Sequence, residues 1–300
     1  MSALHSIFYE EVGRESGRCA LFLHGGPGVG ILPGYRRFFD PAHYRTILVD
    51  QRGAGRSTPF AELEENNTWA LVEDLEKLRK HLRVSDWIVM GGSWGSLLAL
   101  CYAIRYPDRV SGMILRGIFL GRPAEMSWVY GGTGTAQIFP EHWARFRSLV
   151  PESKEADTAK AYYKLLTGED QEAALTAAKY WAEWSASTMT LLPDPAAVAE
   201  IASDKTVLPV SRIECHFENN QFFLPSPNFV IDNAAVIQDI PTEIVHGRYD
   251  AICAVKGAWD LHQALPASKL TIVPDGGHSP MEPPMAEALI RAAESMKSIR

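Results

Sequence analysis

The segment from Trp87 to Gly95 constrains the fold more than any other part of the chain. Its apolar residues Trp87–Met90 lead into the pattern Gly91-Gly92-Ser93-Trp94-Gly95, and a stretch typical of a helix, Ser96–Tyr106, follows. A strand that turns sharply into a helix leaves room only for glycine beside the turn and exposes the hydroxyl group of the central serine. The pattern therefore predicts a strand–turn–helix element that presents Ser93 as a nucleophile.

Short apolar runs alternate with helical patterns at both ends of the chain. Continuous apolar runs of this length suit strands that are buried on both faces, as in a parallel sheet. The predicted strands are Cys19–Leu23, Thr46–Val49, Trp87–Met90, Val110–Leu115, Glu243–His246 and Leu270–Val273, and helices are predicted at Leu71–Leu82, Ser96–Tyr106, Val255–Leu265 and Met285–Met296. We therefore expect an α/β fold, with a mostly parallel, doubly wound sheet formed by residues 1–118 and 236–300.

The middle of the chain, residues 119–235, has a different character. It is rich in aromatic residues and helix formers, prolines interrupt it repeatedly, and strand patterns are sparse. This composition predicts a mainly helical cap domain inserted between the two parts of one sheet domain. The aromatic side chains of such a cap usually form its core.

A serine nucleophile needs a base and a residue that orients the base. Asp250 follows the predicted strand Glu243–His246, and His278 follows Leu270–Val273, so both are expected at the sheet edge that carries Ser93. Asp275 is a competing acid, but it directly precedes the Gly-Gly-His turn and is expected to shape that turn. Other histidines occur in contexts that indicate surface positions: His5, His43, His81 and His262. The order in the chain thus predicts Ser93, Asp250 and His278 as the catalytic triad.

A glycine-rich loop after the first predicted strand supplies the next element of the site. In His24-Gly25-Gly26-Pro27-Gly28 the backbone can approach a substrate carbonyl closely. The N–H groups of Gly26 and Trp94 are therefore predicted to form the oxyanion hole. His24, which opens the loop, is expected to hold the loop by hydrogen bonds and to have no catalytic role.

The charge and the cysteines exclude several classes of function. The net charge is −7 and no block of basic residues occurs, so neither nucleic acid nor an acidic membrane is an expected partner. Four scattered cysteines predict neither a metal site nor a disulfide framework. The chain lacks a signal-peptide pattern and an apolar run of membrane-spanning length, which favours a cytoplasmic protein. The sequence does not indicate the oligomeric state.

Five blocks, in order, resemble the proline iminopeptidases, a family of α/β-hydrolase serine peptidases. They are His24–Gly28, Asp50–Ser57 (Asp-Gln-Arg-Gly-Ala-Gly-Arg-Ser), Gly91–Ser96, His246–Asp250 and Gly276–His278, and Asn67–Asp74 is also similar. The likeness covers nearly the whole chain. It implies an α/β-hydrolase fold with a helical cap, no metal or other cofactor, and a small peptide with an N-terminal proline as substrate.

The resemblance also implies which residues contact the substrate. Arg116 and Phe119 match the stretch in which the family has an arginine and a pocket aromatic residue, and Glu214 matches a glutamate that binds the N-terminal amine. Trp128 is a further candidate contact. The chain departs from the family pattern at Ser185, where a second carboxylate is usual, at Val129 and at Glu218. If Glu214 and Glu218 share one face of a helix, Glu218 is expected to replace the missing acid.

These features predict a serine exopeptidase that releases N-terminal proline through an acyl-enzyme. Two alternatives stay open. The departures in the cap favour an esterase or amidase of the same fold that acts on another small acyl substrate, and a third class is a non-catalytic receptor for a small ligand. Glu214 itself has an alternative structural explanation, as the ion-pair partner of Arg116 or Arg212.

Overall fold

The computed structural model describes residues 3–151, 157–201, 203 and 207–299. In this part of the chain seven strands form one sheet, with the order β1-β3-β2-β4-β5-β6-β7. The strands are β1 (Tyr9–Gly13), β2 (Arg18–Leu23), β3 (Tyr44–Val49), β4 (Trp87–Gly92), β5 (Val110–Arg116), β6 (Thr242–Gly247) and β7 (Lys269–Val273). Only the edge pair β1–β3 is antiparallel. The mostly parallel sheet predicted from the apolar runs is confirmed, and β1 is an addition to it.

Helices cover both faces of this sheet. The sheet domain contains α1 (Thr68–His81), α2 (Trp94–Arg105), α11 (Val255–Ala264) and α12 (Pro283–Ser295). Residues of α1, α2 and α11 belong to one apolar cluster, and residues of α12 belong to a second cluster on the other face. Asn67 caps the start of helix α1, because its side chain accepts a hydrogen bond from the N–H of Ala70. The fold is therefore doubly wound.

The inserted segment between β5 and β6 is helical. It contains α3 (Pro123–Tyr130), α4 (Thr135–Ile138), α5 (Pro140–Arg147), α6 (Thr158–Leu166), α7 (Gln171–Ser187), α8 (Pro195–Ile201), α9 (Val207–Asn219) and α10 (Phe229–Asp232). Its own apolar cluster includes Phe146, Tyr162, Trp181 and Trp184. The expected aromatic core of the cap is thus present.

The end of the insertion packs differently from the rest of it. Phe222 and Val230 belong to the apolar cluster of the sheet domain, and Phe229 packs edge-on against Trp69 of α1 with ring centroids 5.4 Å apart. These residues of the inserted segment therefore pack against the sheet domain. Among the described residues, no helix is both long enough and apolar enough to cross a membrane.

Candidate active site

The turn between β4 and α2 holds Ser93 in a strained conformation. Its φ is 58° and its ψ is −129°, a region that residues with a side chain rarely adopt. A Cβ atom on Gly91 would lie 2.1 Å from the carbonyl oxygen of Gly95, and one on Gly95 would lie 2.3 Å from the carbonyl oxygen of Leu23. The two flanking glycines are therefore required by crowding, as the sequence pattern predicts.

Asp250 and His278 meet beyond the carboxyl ends of β6 and β7. The Nδ1 atom of His278 lies 2.7 Å from Asp250 Oδ2, and both side chains are buried. The other carboxylate oxygen, Oδ1, accepts the backbone N–H groups of Ile252 and Cys253 at 3.0 and 2.7 Å. Because Nδ1 donates to the carboxylate, Nε2 of the neutral imidazole is left as an acceptor.

The electrostatic environment keeps Asp250 charged. Burial raises the pKa of this carboxyl group, but the electrostatic interaction with His278, the hydrogen bond from its imidazole and the nearby His246 outweigh burial and hold the pKa below its ordinary value. His246 itself is buried, and burial lowers its pKa. Its Nδ1 accepts the N–H of Ile118, so Nε2 donates to the carbonyl oxygen of Cys253 at 2.7 Å. His246 therefore shapes the loop that carries Asp250.

Ser93 and His278 both line an outer cavity of about 400 Å³ that lies between the cap and the sheet edge. Within the described residues, no hydrogen bond joins the Ser93 hydroxyl to the imidazole; catalytic hydrogen bonds often form only in the substrate complex.

Gly117 lies against the imidazole ring of His278. A Cβ atom there would lie 3.1 Å from His278 Cε1 and 3.2 Å from its Nδ1, so a side chain would displace the ring.

The two predicted oxyanion donors lie beside the serine. Gly26, with a φ of +103°, and Trp94 line the same cavity wall as Ser93. Trp94 is the first residue of α2, so its N–H has no acceptor within the helix. His24 is buried, and it accepts the N–H of Gln51 on Nε2 and donates from Nδ1 to the carbonyl oxygen of Gly25. These contacts are the structural role expected for His24.

A second, smaller cavity of about 40 Å³ adjoins Ser93, and we call it the inner pocket. It is lined by Gly26, Ser93, Trp94, Phe119, Met126, Val129, Tyr130, Glu214, Glu218, Phe222, Ile252 and Cys253. The Phe119 ring packs edge-on against the Phe222 ring, with centroids 4.8 Å apart. The pocket is thus mostly apolar, with two carboxyl groups in its wall.

The two carboxyl groups differ in their partners. Glu214 accepts hydrogen bonds from the Tyr130 hydroxyl at 3.0 Å and from the Trp181 indole N–H at 3.1 Å. Burial raises its pKa to about 7, although the two donors oppose that effect. Glu218 lies one turn further along α9, and its Oε2 atom is buried without a hydrogen-bond partner among the described residues. Burial, with the charges of Asp157 and Glu214, raises the pKa of Glu218 to about 8.

The other residues predicted to contact the substrate do not line the inner pocket. Arg116 lines the outer cavity, and its guanidinium donates to the carbonyl oxygen of His278 at 2.7 Å. Trp128 lies outside the linings of both cavities as the structure describes them, and its indole donates to the carbonyl oxygen of Ala251. It therefore packs the cap onto the loop of Asp250. Ser185 lines the outer cavity, whereas Glu183 forms an ion pair with Arg145 at 2.6 Å.

The sequence prediction misses several residues of the site. The inner pocket is also lined by Met126, Tyr130, Phe222, Ile252 and Cys253. Gln51 joins the glycine-rich loop to the start of α2. Gln51 lies in the Asp50–Ser57 block, so the block itself could have indicated its importance. The surface position expected for His5 is wrong: His5 is buried, and its ring forms a hydrogen bond with the carbonyl oxygen of Glu64.

One group of side chains in the described part of the chain could hold a metal ion. Ligand atoms of Asp250, Cys253 and His278 lie within 4.8 Å of one another. The Asp250–His278 hydrogen bond already uses the facing carboxylate and imidazole atoms, and burial raises the pKa of Cys253 well above its usual range. This arrangement suits a proton relay better than a metal centre, in which Cys253 would have to bind as a thiolate.

The fold and the side chains that meet at its edge define an α/β hydrolase, and the sequence matches the α/β hydrolase fold family over residues 21–283. It is 49% identical over 98% of its length to a probable proline iminopeptidase of Leptolyngbya boryana, 91% of which is covered. It is 48% identical over its whole length to a proline iminopeptidase of Arabidopsis thaliana, 79% of which is covered. The chain belongs to the proline iminopeptidase family.

Solved structures show the same fold at much lower identity. An esterase from a Rhodococcus species superposes with a TM-score of 0.63 at 18% identity, over 99% of this chain and 96% of that one. An esterase from Exiguobacterium antarcticum gives a TM-score of 0.66 at 19% identity, over 98% and 96% of the two chains. At these identities the likeness supports the fold alone.

Proposed function

We propose that this chain is a prolyl aminopeptidase, which releases N-terminal proline from peptides by acyl transfer to Ser93. The observation that carries the proposal is the inner pocket, where a carboxyl group on Glu214 and the aromatic ring of Phe119 lie in one small cavity with Ser93. A carboxylate in a desolvated pocket binds a protonated amine strongly and fixes the first residue of the substrate. Relatives that are 48–49% identical and are named proline iminopeptidases support it.

Acylation begins when His278 takes the hydroxyl proton of Ser93 and the serine oxygen attacks the carbonyl carbon of the N-terminal residue. The carbonyl electrons move onto oxygen, and the N–H groups of Gly26 and Trp94 stabilise that oxyanion. His278 then gives its proton to the leaving amine as the C–N bond breaks. Asp250 holds the tautomer of the imidazole and stabilises the imidazolium that forms.

Deacylation repeats these steps with water. His278 removes a proton from a water molecule, which attacks the acyl-enzyme, and the same two N–H groups hold the second oxyanion. The Ser93 oxygen leaves and takes the proton back, so free proline is released. Because the inner pocket is small and ends in carboxyl groups, it favours one residue with a free amine and excludes internal peptide bonds.

Glu218 is proposed as the second carboxyl group that contacts the substrate amine. It lies four residues after Glu214 on α9, and both line the inner pocket. The position of the usual second carboxylate is occupied by Ser185, which lines the outer cavity. Since Glu218 Oε2 has no hydrogen-bond partner among the described side chains, an ammonium group would satisfy it.

A panel of aminoacyl 4-nitroanilides tests the proposal. We expect the wild type to prefer the prolyl substrate, and Ser93→Ala to lose this activity by at least about 10³-fold. Glu214→Gln should raise KM strongly, whereas Glu183→Gln, which removes a cap carboxylate that pairs with Arg145 instead of lining the pocket, should not. Turnover of 4-nitrophenyl acetate without any prolyl turnover would identify an esterase or amidase instead. Folded protein that a fluorophosphonate does not label at Ser93 would indicate a receptor.

A cytoplasmic location is part of the same proposal. The four cysteines are all free in the described structure, and three of them are buried. Free thiols of this kind are typical of a reducing compartment.

A further inference from the structure

The loop that carries His278 is attached to the cap by backbone hydrogen bonds. The N–H groups of His278 and Ser279 both donate to the carbonyl oxygen of Met189, each at 2.9 Å. Met189 lies in the segment between α7 and α8 and lines the outer cavity. The position of the histidine therefore depends on a segment of the cap as well as on the sheet.

Glu282 forms a second attachment between the same two segments. Its Oε2 accepts the N–H of Gly277 at 3.0 Å, and its Oε1 accepts the N–H of Leu191 at 2.8 Å. Gly277 directly precedes His278, and Leu191 follows Met189 by two residues. One carboxylate thus joins the histidine loop to the cap segment 189–191.

The start of α12 explains why this carboxylate is available. Glu282 is the N-cap residue, but its side chain forms no hydrogen bond to its own helix. A capping side chain accepts from the N–H of the second or third helical residue, and here the second residue, Pro284, has no N–H, so one of the two usual donors is missing. Gly277 completes the arrangement, because a Cβ atom there would lie 2.9 Å from Glu282 Oε2 and 2.7 Å from the Leu191 nitrogen.

We propose that Glu282 is a positioning residue, which makes the placement of His278 depend on cap segment 189–191. Asp250 orients the imidazole, and Arg116 holds the His278 carbonyl oxygen, but neither contacts the N–H of Gly277. Without the carboxylate, two N–H groups lose their acceptor, and of the two attachments only the Met189 carbonyl oxygen still ties the loop to the cap segment, so the loop is less restrained. A displacement of about 1 Å at a catalytic group can cost about 10²-fold in rate.

The test compares wild type with Glu282→Ala, Glu282→Gln and the control Glu287→Ala, which removes an exposed carboxylate from the same helix. The first measurement is the rate at which a fluorophosphonate labels Ser93, because labelling needs the histidine as base but no peptide pocket. The second is kcat and KM for proline 4-nitroanilide, which rests on the proposed function. We expect Glu282→Ala to lower the labelling rate and kcat by about 10-fold or more. We expect KM to stay within about 3-fold of wild type.

Glu282→Gln keeps the volume and one acceptor oxygen, so an intermediate labelling rate is expected. Amide hydrogen exchange should show residues 189–191 and 277–279 losing protection together in Glu282→Ala. A wild-type labelling rate in folded Glu282→Ala overturns the proposal. If that variant does not fold, a wild-type labelling rate in Glu282→Gln overturns it. Failure of the wild type to release proline contradicts the proposed function, while the labelling rates still test Glu282.

Discussion

The indole N–H of Trp94 donates a 2.7 Å hydrogen bond to the side-chain oxygen of Gln51. The same amide group donates from its nitrogen to the carbonyl oxygen of His24 at 2.9 Å, and the Gln51 backbone N–H donates to the His24 ring. Gln51 is buried. One side chain therefore joins the start of α2 to the glycine-rich loop, the two segments that supply the proposed oxyanion donors.

These hydrogen bonds predict that a substitution of Gln51 lowers kcat, although Gln51 does not line the inner pocket. Gln51→Leu keeps the volume but removes both side-chain hydrogen bonds, so the spacing between the Gly26 and Trp94 N–H groups should relax. Removing an oxyanion donor directly costs about 10²–10³-fold in kcat, and we expect a smaller loss of about 10-fold here. Steady-state kinetics with proline 4-nitroanilide measure it. An unchanged kcat with only a lower melting temperature would show that Gln51 serves stability alone.

The elements that could be predicted from sequence are those that local sterics or chain order determine. The turn at Ser93 needs glycine at fixed positions. Asp250 and His278 each follow a strand that is recognisable in the sequence from its continuous apolar run. Strand β1 has no such run. Its residues Glu10 and Glu11 pair with Arg36 and Arg45 at 2.7 and 2.6 Å, so charged side chains occupy an edge strand.

The parts that could not be predicted depend on contacts between distant segments. In the sequence, Glu282 has the pattern of an ordinary helix N-cap followed by proline. Its contact with Leu191 appears only in the folded chain. Phe222 lies in a turn where Gln221, Phe222 and Phe223 have φ values of 51°, 53° and 53°. Asn219 and Asn220 precede that turn, but none of the three positive-φ positions is a glycine or an asparagine, so the local sequence does not indicate their conformation.

The raised pKa values of Glu214 and Glu218 predict how substrate binding depends on pH. Both groups must be ionised to attract an ammonium group, and burial holds their pKa values near 7 and 8. Below pH 7 they are increasingly neutral, so KM for proline 4-nitroanilide should rise as the pH falls from 8.5 to 6. An acetyl ester has no amine and is the control, since its KM should not follow this trend. A KM for the prolyl substrate that stays flat over this range would contradict the proposed roles of both groups.

Glu218 should also lower the stability of the protein at alkaline pH. The pKa of this carboxyl group is raised by folding, so the free energy of unfolding falls as the pH rises from about 4.5, its ordinary value, to about 8. Glu218→Gln removes the buried charge and should raise the free energy of unfolding by about 1–3 kcal/mol at pH 8.5. Near pH 4 the difference should vanish. Urea unfolding at both values measures it, with Glu169→Gln, at an exposed position, as control. Equal stabilisation at both values would contradict a charge effect.

Hydrogen bonds from α1 hold the turn that contains Phe222, and they lead to a prediction about substrate selectivity. The Thr68 hydroxyl donates to the carbonyl oxygen of Phe222 at 2.5 Å, and the Trp69 indole donates to that of Phe223 at 2.9 Å. Three consecutive residues with positive φ are costly and need such support.

Thr68→Val removes the hydroxyl group but keeps the shape of a side chain that does not line the inner pocket. We expect Phe222 to withdraw from Phe119, so that the ratio of kcat/KM for prolyl over leucyl 4-nitroanilide falls by about 10-fold. Thr68→Ser restores the donor and should restore the ratio. The same selectivity in Thr68→Val and wild type would show that the turn keeps Phe222 in place without the Thr68 hydrogen bond.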